Sequence, residues 1–211
     1  MIQYSTDILD TNIAPGVSKF TMADIPNMSN WSSESTSWIA NYFLNTTYDA
    51  KFAPAMHAYA YNFLRRAVYA FKEHENARIK TLEFLATSPP SPSHYVMALF
   101  HWETYLGQCW HAYALLVKAW DGRAFDKNDG SVEQRLNALY NQMKHVESRI
   151  DNGQMIPGAT VPVWLENEGL CSIDTRLTYA ETGEILKDIA KYADVLMNPK
   201  TAKENFNALD A

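Results

Sequence analysis

The stretch that decides the fold is residues 94–120, HYVMALFHWETYLGQCWHAYALLVKAW. Apolar residues occupy nearly every side of a helix drawn through it, and such a helix belongs at the centre of a bundle rather than on its surface. The polar exceptions are ordered. At about 100 degrees per residue, His94, His101, Thr104, Gln108, His111 and Lys118 fall within one sector. Two readings of that stripe stay open: histidines at the edge of the core with satisfied hydrogen bonds, or one wall of a pocket in which His101 and His111 contact a ligand.

Working upstream, SPPSPS at residues 88–93 stops any helix before it, because consecutive prolines cannot donate to the ladder. Before that stop, Met56, Ala60, Phe63, Ala67, Ala70, Phe71, Ile79, Leu82 and Phe84 keep a helical stripe. They predict one long helix over residues 52–87, with Pro54 in its first turn. A Ser-rich run at residues 31–38 gives a cap for a short helix over 36–44. Residues 1–30 hold no lasting period and read as an extended arm laid over the body.

Downstream, Asp121-Gly122 ends the central helix, and Ser131 with Gln134 begins another over residues 131–152. Leu136, Leu139, Met143, Val146 and Ile150 line its inner face, leaving Asn137, Asn141, Lys144, His145 and Ser148 outside. TVPVWL at residues 160–165 and LCSID at 170–174 predict a small β-hairpin. Thr178 with Glu181 caps a last helix to about Met197, which Pro199 ends. The fold class expected is all-α: an antiparallel four-helix bundle with an extended N-terminal arm and a small β-hairpin before the last helix. The bundle domain spans residues 31–198, and a tail at 199–211 has room for one short helix.

Composition narrows the function. The net charge of −6 argues against a protein that grips nucleic acid over its whole surface, although a local basic pocket stays open. Two cysteines, Cys109 and Cys171, read as free thiols in a reducing compartment, and the start lacks the features of a signal peptide. A cytoplasmic protein with no membrane span is expected. There is no Glu-x-x-His, no His/Cys spacing of a zinc site, no glycine-rich phosphate loop and no HExxH, so no metal and no cofactor are expected. Arg65 and Arg66, with His74 further on, could supply charge to an anionic ligand.

The candidate chemistry therefore concentrates on residues 131–152. Asn141, His145 and Arg149 recur at steps of four. A histidine exchanges protons near neutral pH, and an arginine one turn away can hold a phosphate. These three are the candidate catalytic residues. Asn137, Lys144, Arg135, His101 and His111 are the candidate ligand-binding ones.

The pattern Arg135-x-Asn137-x-x-Tyr140-Asn141-x-x-Lys144-His145 resembles the HEPN family, small α-helical bundles found in prokaryotic defence and toxin–antitoxin systems. Ribonucleases of that family carry an arginine and, a few residues on, a histidine, paired across a dimer interface. Here Tyr140 stands where the arginine would, and Arg135 lies further upstream. The resemblance thus implies first a degenerate relative, a homodimer that binds RNA, a nucleotide or a partner protein through Asn141, Lys144 and His145. The second alternative is a metal-independent ribonuclease using His145, with Arg149 or an arginine from elsewhere in the chain as the missing arginine. The third is a non-catalytic structural or interaction protein.

Overall fold

A computed structural model describes residues 7–88, 91–120 and 122–205. It is mostly helical, with one small antiparallel sheet. The central helices are α3 (Pro54–Ala86) and α4 (Pro92–Trp120), packed along their lengths. Contacts between them run in opposite directions: Arg66 with Gln108, Glu73 with His101, Thr87 with His94. The two helices are therefore antiparallel. Alanines at 60, 67, 70 and 77 are fully buried and let α4 approach closely. Pro54 occupies the first turn of α3, where its missing N–H costs nothing. Pro89, Pro90 and Asp121, expected to stop these helices, lie outside the described residues.

Two details of the central pair depart from expectation. Ile79 and Leu82 are about 40% exposed, because the buried line of α3 runs through His74, Ala77, Thr81 and Phe84 instead. On α4, Val96, Met97 and Phe100 also face outward. The helix is covered on most sides but not on all.

The last long helix, α7 (Tyr179–Leu196), opens on the expected capping box: Thr178 accepts from the Glu181 N–H, and Glu181 accepts from the Thr178 N–H. It packs on both α3 and α4. Tyr105 donates to the Thr182 carbonyl and Tyr113 to Asp188, so α4 and α7 run the same way. At the junction of the three helices His74 is fully buried. The Thr182 hydroxyl donates to the Tyr179 carbonyl, so it accepts from His74 Nε2 at 3.0 Å. Burial lowers the His74 pKa from 6.5 to about 4, so the ring is neutral and its Nδ1 has no partner. The expectation that His74 could lend charge to a ligand is corrected: it is a core residue.

Residues 131–152 are not one helix. They divide into α5 (Val132–Lys144) and α6 (Val146–Asp151), with His145 between them at φ −115°, ψ 29°. The apolar period continues through the break, but the core does not: α6 buries no residue, and Ile150 is 57% exposed. Ser131 caps α5 by accepting from the Gln134 N–H, while the Gln134 side chain reaches Gly130 rather than Ser131.

The expected hairpin is a three-stranded antiparallel sheet in the order β1 (Trp164–Leu165), β2 (Gly169–Cys171), β3 (Arg176–Thr178). Gly169 is required there, since a Cβ would lie 2.1 Å from the Leu177 carbonyl oxygen. The Leu165 N–H donates to the Tyr95 hydroxyl, which ties the sheet to α4.

The arm is more structured than expected. Residues Asp7–Asn12 form α1 and Val17–Lys19 a 3₁₀ turn. Leu9, Val17, Phe20 and Met28 are buried, with Phe20 against Phe84 and Tyr95. The second helix is longer than expected, α2 (Ser29–Tyr48). Its serines and threonines satisfy themselves on carbonyls one turn back, as Ser35 does on Ser32 and Thr36 on Ser33. Trp38 then donates its indole N–H to Asp194 and fixes α2 to α7. Pro199 does not simply end α7; it begins α8 (Pro199–Asn205), whose Ala202 is buried.

Candidate functional site

The stripe predicted on α4 meets α5 at His111. His111 Nε2 and the Tyr140 hydroxyl share a hydrogen bond of 2.9 Å, with the rings edge to face. One turn away on α4, Gln108 accepts from Arg66 of α3 at 2.9 Å. Gln108 and His111 lie three residues apart, so they share a helix face. Together they hold Arg66 of α3 and Tyr140 of α5 at one seam along α4.

The electrostatics of this seam are basic. His111 has its pKa lowered by burial first, and then by the positive charges of Arg66 and Lys144. At neutral pH the site therefore holds a neutral imidazole and a phenol, with Arg66 anchored on Gln108 and the exposed Lys144 adding to the positive field. An aromatic shelf borders it: Trp110 lies 6.3 Å from Tyr140 and 6.0 Å from Phe125 between ring centroids. Asn141 and Asn137 are linked by their side-chain amides on the outer surface of α5. Such an arrangement can hold an anion and stack a flat ring.

Other candidates lie elsewhere. His101 pairs with Glu73 of α3 at 2.7 Å. Arg135 is a structural tie: its guanidinium makes two bonds to Glu181 and one to the Arg176 carbonyl, at the start of α7. His145 is exposed at the break between α5 and α6. Arg149 lines only a shallow hollow with Gln142, Gln154 and Trp164. Among the described residues no side-chain hydrogen bond joins Asn141, His145 and Arg149, and the continuous helix that would have aligned them is interrupted.

Three features escaped sequence reasoning. Tyr140 drew notice only as a missing arginine, and its pairing with His111 depends on a helix register that no local pattern encodes. Glu103, a lone carboxyl on the apolar helix, has its pKa raised from 4.5 to about 7 by burial; the charge inside an apolar run was the available signal. Arg176 gathers Glu166, Glu168 and the Cys171 sulfur into one knot beside a cleft of about 290 Å³ that Gly16, Lys19 and Phe20 of the arm also line. Burial raises the Cys171 thiol to about 12 despite the arginine, so it is not an activated nucleophile.

Among the described residues no three His, Cys, Asp or Glu side chains gather so as to hold a metal ion, and no helix is long and apolar enough to cross a membrane. No family model matches the chain, and neither a curated protein nor a solved structure shows significant similarity to it.

Proposed function

We propose that the protein binds a phosphate-bearing ligand, a single-stranded RNA or a nucleotide, at the seam along α4 where Gln108 holds Arg66 and His111 holds Tyr140. The observation that carries this reading is the placement of Arg66, held by Gln108 at 2.9 Å, one turn from the His111–Tyr140 pair and its Trp110 neighbour; the positive charges of Arg66 and Lys144, which after burial lower the His111 pKa, agree with it. A phosphate there would be held by Arg66 and Lys144 and could accept from His111 once the ring is protonated. A base would stack on Trp110 or Tyr140, as aromatic shelves do in single-strand binders. The overall charge of −6 makes this a local site rather than a broad basic surface.

The reading keeps the HEPN-like resemblance in its degenerate form. What supports it is the mostly helical fold, in which α4 packs on α3 and on α5 and α7 packs on α3. The homodimer that the resemblance implies belongs to the same proposal, as does a cytoplasmic setting, which the two free cysteines favour. Asn137 and Asn141 flank the seam on α5 and remain ligand-binding candidates. The catalytic role of His145 is not carried forward.

The test is anisotropy of a short fluorescent single-stranded RNA at low salt. The expected result is saturable binding that weakens by about tenfold in Arg66→Gln and in Lys144→Gln, each with a salt slope lower by roughly 0.7. Absence of binding, or variants that bind like the parent, overturns the reading.

A further inference from the structure

A second site lies at the far end of α4. The last turns of that helix, the loop after it, the first turn of α5 and the middle of α7 line an open cavity of about 200 Å³, with Tyr113, Trp120, Arg123, Glu133, Asp188 and Tyr192 among its walls. Its walls combine aromatic faces with two carboxylates. Trp120 and Tyr192 stand 5.9 Å apart between ring centroids and form one side. Tyr113 donates to Asp188 Oδ2 at 3.2 Å. Asp188 and Glu133 both raise the pKa of Tyr113 and of Tyr192, after the larger effect of burial. Both carboxylates therefore stand near both phenols.

The cations at hand compete only weakly. Lys191 reaches Asp188 Oδ1 at 3.5 Å from a side chain that is 76% exposed. Arg123 sits on the rim, 82% exposed, with its guanidinium turned to Asp126 at 3.4 Å. Neither fills the cavity. The partial negative charge at the C-terminal end of α4 adds to the same field.

We propose that this cavity binds a small alkylammonium ion, its charged head between Asp188 and Glu133 and its alkyl part against Trp120 and Tyr192. Aromatic faces attract organic cations through the ring quadrupole, and carboxylates accept the ammonium N–H donors. A hard metal cation fits poorly, because calcium asks for six to eight oxygens and the lining here is largely aromatic and aliphatic. Anions are repelled by the two acids. Size limits the rest: the volume is below the roughly 300–1,000 Å³ of pockets that take drug-sized ligands.

The experiment is an NMR titration of the full chain at pH 7, reading the Trp120 indole N–H against n-butylammonium chloride at constant ionic strength. n-Butanol serves as the uncharged isostere and sodium chloride as the salt control. The expected result is a saturable shift with n-butylammonium alone, weakened at least tenfold in Asp188→Asn. Because Asp188 also holds the Tyr113 hydroxyl, Glu133→Gln is the second variant; it leaves that bond intact and should weaken binding by severalfold. An equal shift with n-butanol would reduce the site to an apolar hollow and overturn the proposal. So would an equal shift with sodium chloride, no saturable shift at all, or variants that bind as the parent does.

Discussion

His111 on α4 and Tyr140 on α5 are joined at 2.9 Å, and this bond closes the seam in which the proposed ligand lies. Tyr140→Phe keeps the ring and its place over Gly107 while removing the hydroxyl. The half-buried imidazole then loses its partner, at an expected cost of about 1 kcal/mol. Urea unfolding should show a lower midpoint with an unchanged slope. An unchanged midpoint would mean that water replaces the phenol without loss.

Stability against pH should be shaped by a buried histidine and a half-buried carboxyl of opposite sign. His74 titrates at about 4 in the fold against 6.5 in the open chain. Its contribution is fully present above pH 6.5 and is lost as pH falls toward 4. Glu103 titrates at about 7 against 4.5, so its contribution is present below pH 4.5 and is lost as pH rises toward 7. Each is worth roughly 3 kcal/mol at the ends of its range. Between about pH 4.5 and 6.5 the two slopes offset one another. Glu103→Gln should therefore unmask the histidine: relative to the parent, its stability gains about 1.4 kcal/mol per pH unit across that window. Parallel pH profiles for parent and variant would show that Glu103 is not held protonated.

Thr178 and Arg135 converge on Glu181, so their effects should not add. Glu181 Oε2 accepts from the Thr178 N–H at 2.9 Å and from Arg135 at 3.1 Å. Thr178→Ala should cost about 1 kcal/mol through the lost cap, and Arg135→Ala at most about 1 kcal/mol. A double-mutant cycle is expected to show a coupling of at least about 0.5 kcal/mol. Arg135→Ala should leave RNA affinity unchanged, because its guanidinium is committed to α7.

His145→Ala separates the binding reading from the ribonuclease alternative. The side chain is exposed where the helix breaks, so stability should change by less than about 0.5 kcal/mol. RNA affinity should hold within about twofold. RNA cleavage by the purified protein that disappears in this variant would restore His145 as a catalytic residue.

The legible parts of this protein were those written in local chemistry. The long helices α3, α4 and α7 follow from an apolar period between recognisable ends, with Pro54 and the Thr178–Glu181 box as starts. Residues 29–35 at the start of α2 hid behind serines, which favour caps and turns in isolation but here bond to carbonyls within the helix. The break at His145 hid for a different reason. Val146 and Ile150 keep the helical step, yet a period names a buried face only where a core exists to cover it, and beyond Met143 there is none. Of the site, His111 and Lys144 could be picked out by type. Their meeting with Arg66 and Tyr140 could not, because it depends on how three helices slide against one another.

The most direct measurement of the central claim is the titration of the His111 imidazole by NMR, with and without a nucleoside monophosphate or a short RNA. A phosphate between Arg66 and Lys144 would offset the positive field that lowers this pKa and give the protonated ring a partner. The His111 pKa is expected to rise on binding. Ligand binding that leaves the His111 pKa unmoved would contradict a phosphate site at Arg66 and Lys144.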